Sequence, residues 1–168
     1  MYRVQGKTKV VTPRQRDVVV ALGSNQGDRQ IHLACAVSAL KTYFTDTRVS
    51  PFSETVAEGV GPQPDFLNGV LIGSTALSPE KVMDVLLTIE QAQGRVRPYV
   101  GAPRTLDLDL VLMGSCVFEN KHVQVPHPRF RQRRFVLEPL VGLAPKLVDP
   151  VTGATMAELL ALLPPRVR

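Results

Sequence analysis

The sequence predicts an α+β fold, a ferredoxin-like βαββαβ core in which two helices pack on a mostly antiparallel sheet. Three observations lead there. Short apolar runs alternate with stretches of helical periodicity in the order β-α-β-β-α-β. Clusters of Gly, Pro, Asn and Asp separate them. Further short elements follow the sixth, so the C-terminal part is an addition to the core.

Val18-Val19-Val20-Ala21-Leu22 is a continuous apolar run and reads as a buried central strand. The turn Gly23-Ser24-Asn25-Gln26-Gly27-Asp28 ends it, with Asp28 placed to cap a helix. Such a turn can hold phosphate, but it lacks the Walker lysine and the dinucleotide glycine spacing, and an ordinary βα turn fits equally well. Ile31, Leu33, Ala34, Val37 and Leu40 recur at helical spacing and predict the buried side of the first helix. Thr47 to Val56 reads as a second strand broken near Pro51, Ala57 to Asp65 as a long loop of the kind that carries function, and Phe66 to Thr75 as a third strand. Ser78-Pro79-Glu80 opens a second helix, with Ser as cap and Pro in the first turn. Val82, Val85, Leu86, Ile89 and Gln93 mark its buried face, and Gly94 its end. An extended piece over Cys116 to Val125, a helix over Phe130 to Leu143 and a short terminal helix over Met156 to Leu163, capped by Thr152 or Thr155, complete the chain.

The acidic strand Arg104-Thr105-Leu106-Asp107-Leu108-Asp109-Leu110-Val111-Leu112 carries the chemistry. Leu106, Leu108 and Leu110 point one way, Asp107 and Asp109 the other. Two carboxylates about 7 Å apart along a strand repel unless a cation lies between them. A hard ion such as Mg²⁺ suits that pair, completing its shell with water and substrate phosphates. A solvated strand face is the plain alternative for an isolated Asp-x-Asp. Here Arg95, Arg97 and Arg104 precede the strand, and His127, Arg129, Arg131, Arg133 and Arg134 follow it. Acid, metal and several arginines together equip a chain for phosphoryl transfer, where catalysis is positioning and charge neutralisation.

Composition sets the bounds. The 168 residues suffice for one domain, expected over 17–168, after a basic, flexible extension over 1–16. The net charge of +5, concentrated in the arginine clusters, points to an anionic partner. No apolar stretch reaches membrane-spanning length and no signal-type apolar segment follows the N-terminus, so a soluble cytoplasmic protein is expected. Cys35 and Cys116 lack metal-type companions and read as small buried residues or free thiols. An RNA-recognition domain would share fold and charge, but aromatic residues are 5% of the chain, no strand pairs stacking aromatics, and two Asp residues would repel a backbone. Nucleic acid is therefore not the expected partner.

Gly23-Ser24-Asn25, Asp65-Phe66-Leu67-Asn68, Gly94-Arg95-Val96-Arg97, Pro103-Arg104-Thr105-Leu106-Asp107-Leu108-Asp109-Leu110 and Val125-Pro126-His127 together resemble the motifs of the 6-hydroxymethyl-7,8-dihydropterin pyrophosphokinase family of folate biosynthesis. The resemblance runs from about Asp17 to Leu163 and implies a monomeric enzyme that moves pyrophosphate from ATP to the pterin's hydroxymethyl oxygen, leaving AMP. It implies two Mg²⁺ ions on Asp107 and Asp109, with one Asp able to draw the hydroxyl proton. Arg95 and Arg104 would hold phosphates as bidentate forks. Glu90, Arg97, Leu110, His127 and Arg133 would serve the nucleotide, and Thr55, Gly59, Phe66, Asn68 and Phe135 the pterin. Phe66 stands where the family commonly has Tyr, which keeps the stacking surface without the hydroxyl. Gly101-Ala102 stands where many members carry Trp-Gly, and the chain has no Trp, so closure of the loop over 95–104 rests on Arg97, Tyr99 and backbone.

Overall fold

The structure, a computed structural model, describes residues 14–166. The expected extension over 1–16 therefore lies almost wholly outside the described residues, and its last member, Arg16, already belongs to the sheet. Strand β1 (Arg16–Ser24) is followed by α1 (Arg29–Leu40), β2 (Thr45–Val49), β3 (Ser53–Thr55), β4 (Phe66–Thr75), α2 (Pro79–Ala92) and β5 (Asp107–Met113). Then come a small hairpin of β6 (Phe118–Glu119) and β7 (Gln124–Val125), a 3-10 turn (Phe130–Gln132), α3 (Arg134–Leu143) and α4 (Met156–Ala161). The main sheet is antiparallel in the order β2-β4-β1-β5, with β3 also paired to β4.

Helix starts follow local chemistry. Asp28 accepts the Ile31 amide, Ser78 accepts the Lys81 amide ahead of Pro79, and Thr155 forms a capping box with Glu158. The first helix buries Leu33, Ala36 and Leu40, whereas Ile31 and Ala34 are exposed, so its buried stripe is rotated from the expected one. Cys35 is also exposed on that side, and both cysteines are free thiols. The predicted extended piece over Cys116 to Val125 is a hairpin, and the predicted helix over Phe130 to Leu143 is a 3-10 turn plus α3. Pro139 sits six positions into α3, where its missing N–H removes one backbone bond without ending the helix.

The sheet is covered on both faces. Val18, Val20, Leu22, Leu71, Leu106, Leu108 and Leu110 pack against α1 and α2. Val19, Ala21, Val70, Ile72 and Leu112 pack against α3 and α4 with Phe130 and Met156. A bulge sets where β5 changes face. Val19 pairs with Leu112 and Val20 with Leu110, which leaves Val111 unpaired between them. Ahead of the bulge the leucines feed the α1/α2 core, and Asp107 and Asp109 emerge on the α3 face.

Candidate active site

Three strands align their ends to make the floor. Gly23 of β1 pairs with Asn68 of β4 on one side and with Asp107 of β5 on the other. Directly paired antiparallel residues share a face, so Asn68 and Asp107 flank a residue with no side chain. That gap is required: a Cβ at Gly23 would lie 2.5 Å from Asn68 Oδ1. The Asn68 amide nitrogen donates to Thr55 Oγ1 at 2.6 Å, while its carbonyl oxygen and second N–H have no hydrogen-bond partner among the described residues.

The acidic pair does not stand alone. Asp107 Oδ1 receives Arg95 Nη1 at 2.8 Å, and its Oδ2 receives Arg104 Nη1 at 2.8 Å. Asp109 Oδ2 receives Arg133 Nη1 at 2.9 Å and lies 3.9 Å from His127 Nε2. The repulsion expected between the carboxylates is thus met by three guanidinium groups. His127 Nδ1 accepts the Arg129 amide at 3.1 Å, which puts the ring proton on Nε2, toward Asp109. Burial lowers the His127 pKa, outweighing the pull of Asp109, so the ring is neutral at pH 7.

Glu90 ties α2 to this strand. Its carboxylate accepts Leu108 N at 2.7 Å, the peptide between the two aspartates, and also accepts Arg95 Nη1. Burial raises its pKa against the opposing pull of the Leu108 amide and Arg95. Arg95 is itself 7% exposed and its Nε has no partner among the described residues. Arg104 is placed by backbone as well as charge: its N–H donates to Asn25 Oδ1 at 2.7 Å, its carbonyl accepts Asn25 N at 3.0 Å, and its guanidinium lies 5.9 Å from the Phe66 ring centroid. Asn25 also donates to Gln63 Oε1 and Pro64 O, and Gln63 Nε2 donates to Gly101 O at 2.5 Å. One turn, one long loop and the basic loop are so joined at the mouth of the site.

These residues enclose a cavity of about 520 Å³, whose walls include Thr55, Gly59, Phe66, Asn68, Arg104, Asp107, Arg133 and Phe135. Arg133 lies 5.5 Å from the Phe135 ring centroid. Eight of the expected site residues therefore meet around one space. Arg95, Asp109, Glu90 and His127 adjoin it through the contacts above. Leu110 is 3% exposed in the α1/α2 core, because the alternation that brings the Asp109 side chain to the site sends the Leu110 side chain the other way. It can offer a nucleotide only backbone. Arg97 is 67% exposed and stands 3.8 Å from Glu90, outside the cavity walls. Gln63, Arg129 and Gln132 also line the cavity and were not singled out for the site from sequence; only the arginine clustering hinted at Arg129.

The profile described as 7,8-dihydro-6-hydroxymethylpterin-pyrophosphokinase matches residues 19–145. The chain belongs to that family. It is 41% identical over 150 residues to the 2-amino-4-hydroxy-6-hydroxymethyldihydropteridine pyrophosphokinase of Pseudomonas aeruginosa, covering 88% of this chain and 91% of that one. It is 36% identical over 158 residues to the folic acid synthesis protein fol1 of Schizosaccharomyces pombe, covering 93% of this chain but 22% of that protein. The crystal structure of wild-type Plasmodium falciparum HPPK-DHPS shares the fold at a TM-score of 0.71 and 13% identity, over 88% of this chain and 44% of that one. The chain thus spans less than half of two of these three proteins and nearly all of the third. No helix among the described residues is long and apolar enough to cross a membrane.

Proposed function

We propose that this pyrophosphokinase-family chain transfers the pyrophosphoryl group of ATP to the hydroxymethyl oxygen of 6-hydroxymethyl-7,8-dihydropterin, a step of folate biosynthesis. The observation that carries the reading is the row Asn68–Gly23–Asp107. It sets a group able to bind a heterocycle's edge across one intervening strand from a carboxylate held by two arginines. A pterin is flat and edged with donors and acceptors. Asn68 and Thr55 supply matching polar groups, and Phe66 and Phe135 supply apolar faces in the same cavity.

In the reaction a bond forms between the hydroxymethyl oxygen and the β-phosphorus, and the bond from that phosphorus to the αβ-bridging oxygen breaks. The hydroxyl loses its proton, and AMP departs with the bonding pair. Asp107 and Asp109 are hard oxygen donors on one face of β5, the set that suits Mg²⁺, and would hold the two ions. When bound, the metal offsets charge on the phosphates. Arg95 and Arg104 present forks that can pass from Asp107 to phosphate oxygens as a triphosphate arrives. Arg133 and neutral His127 stand to do the same beside Asp109. Asp109 or Asp107 can accept the hydroxyl proton. The exposed Arg97 and Tyr99 lie on the basic loop, which can fold over the filled cavity and exclude water.

The strand order β2-β4-β1-β5, with α1 and α2 on one face, supports the ferredoxin-like reading of the core. Two free thiols, one of them exposed, suit the reducing cytoplasm. The test is AMP release from ATP with and without the hydroxymethylpterin. Pterin-dependent AMP in Mg²⁺ is expected; ADP and phosphate, or AMP at the same rate without the pterin, would overturn the reading.

A further inference from the structure

One buried carboxylate lies outside the site and is fully engaged. Asp149 is 0% exposed. Its Oδ2 receives Arg131 Nε at 2.6 Å and Thr152 Oγ1 at 2.6 Å, and its Oδ1 receives Arg131 Nη2 at 2.8 Å and Val151 N at 3.1 Å. Its backbone is fixed as well: Asp149 N donates to Ala154 O at 2.9 Å, and Gly153 N donates to Asp149 O at 2.9 Å. The turn from Asp149 to Ala154 is thus a closed cup around one acid.

What the cup grips is the middle of the 3-10 turn. Arg131 is the central residue of Phe130–Gln132, and its guanidinium also lies 4.7 Å from the Phe130 ring centroid. Phe130 is itself fully buried beneath the sheet. On either side of Arg131 are residues that face the cavity: Arg129 and Gln132 line it, and Arg133, the residue after the turn, donates to Asp109. A three-residue 3-10 turn has weak internal bonding and no side-chain cap at its start. Its position must come from outside. Helix α3, which carries Phe135, has its own anchors in Val136, Leu137 and Leu140, all buried.

We propose that Asp149, acting through the Arg131 fork, is a positioning residue that holds the 3-10 turn so that Arg133 meets Asp109 and the nucleotide side of the cavity keeps its wall. The planar two-bond fork defines an orientation that a single charge contact would not. The acid's pKa agrees with a grip of this kind: burial pushes it up, yet the bonds from Arg131, Thr152 and Val151 bring it down to about 2. The inference deepens the pyrophosphokinase reading and rests on it for the role of Arg133.

The experiment compares wild type with Asp149→Asn and with the milder Arg131→Lys. It reads steady-state constants for both substrates, thermal unfolding, and amide exchange over residues 127–137. Misplacement of about 1 Å can cost two orders of magnitude in rate. The expected result is a rise of about tenfold in the KM for ATP or an equal fall in kcat, with the KM for the pterin within about twofold, because Phe135 and Asn68 are held elsewhere. Faster exchange should be confined to 129–133. A structural role alone predicts lowered unfolding temperature with both KM values and kcat unchanged at a temperature where the variant is folded. That outcome overturns the proposal, as does an equal rise in both KM values. If wild type itself makes no pterin-dependent AMP, the reaction assignment fails, and the clamp is then judged by exchange: unchanged protection at 130–133 in both variants overturns it.

Discussion

Replacing Glu90 separates two tasks of one carboxylate. Glu90 accepts the Leu108 amide at 2.7 Å and also pairs with Arg95, whose side chain is 7% exposed. Glu90→Ala removes both. It leaves a buried N–H without an acceptor, worth about 1–3 kcal/mol. It also leaves Arg95 with Asp107 alone; breaking a buried pair outright costs about 3–5 kcal/mol, and the surviving partner reduces that. A total of about 3–5 kcal/mol is expected, or roughly 10 °C in unfolding temperature for a chain of this size. Glu90→Gln keeps an acceptor for Leu108 and gives up only the charge. Because burial already raises the Glu90 pKa, the neutral isostere forfeits little, about 1 kcal/mol. The pH dependence has a definite sign. A carboxyl whose folded pKa exceeds its ordinary 4.5 contributes stability that is complete below 4.5 and lost as pH rises through the folded value. The gap between wild type and Glu90→Gln should therefore narrow as pH climbs from 4.5. Thermal and urea unfolding from pH 4 to 8 measure both effects. Equal destabilisation by Ala and Gln, or a gap that widens with pH, would refute the reasoning.

Other substitutions probe the remaining parts. Asp107→Asn and Asp109→Asn should each lower kcat by at least about 100-fold in Mg²⁺ while the fold survives; AMP release at saturating substrates checks this. Unlike an isolated repelling pair, these acids have arginine partners, so neither variant should gain stability. Arg104→Lys replaces a fork by a point charge and should cut kcat/KM for ATP by about 10- to 100-fold, as steady-state kinetics would show. Gly23→Ala drives a methyl into the Asn68 amide and should raise the KM for the pterin by about tenfold with a smaller change for ATP, a split that a two-substrate titration resolves.

Much of this was legible in the sequence where a local signal and a global need coincide. Strand β4 runs over Phe66–Thr75 as expected, because a loop rich in Gly and Pro precedes it and Ser78-Pro79 starts a helix after it. The two faces of β5 follow from alternation as far as Leu110, before the bulge, and that alternation sends the Leu110 side chain into the core while the Asp109 side chain reaches the site. Where periodicity is ambiguous the reading failed. The first helix has apolar residues on more than one side, and the sheet, not the sequence, decides that Ala36 is inward and Ile31 outward. Through-space pairing was illegible altogether. Nothing local in Glu90 reveals that it bonds the peptide between two aspartates, and nothing in Asp149 reveals Arg131. Those contacts exist only after β5 and the C-terminal turn have been brought to their neighbours.

The most direct measurement is a crystal structure grown with Mg²⁺ and a non-hydrolysable ATP analogue. It should show Asp107 and Asp109 holding the cation against the triphosphate, with Arg95 and Arg104 turned from Asp107 toward phosphate oxygens. A nucleotide bound elsewhere, with Asp107 still held by Arg95 and Arg104 and Asp109 by Arg133, would contradict the account.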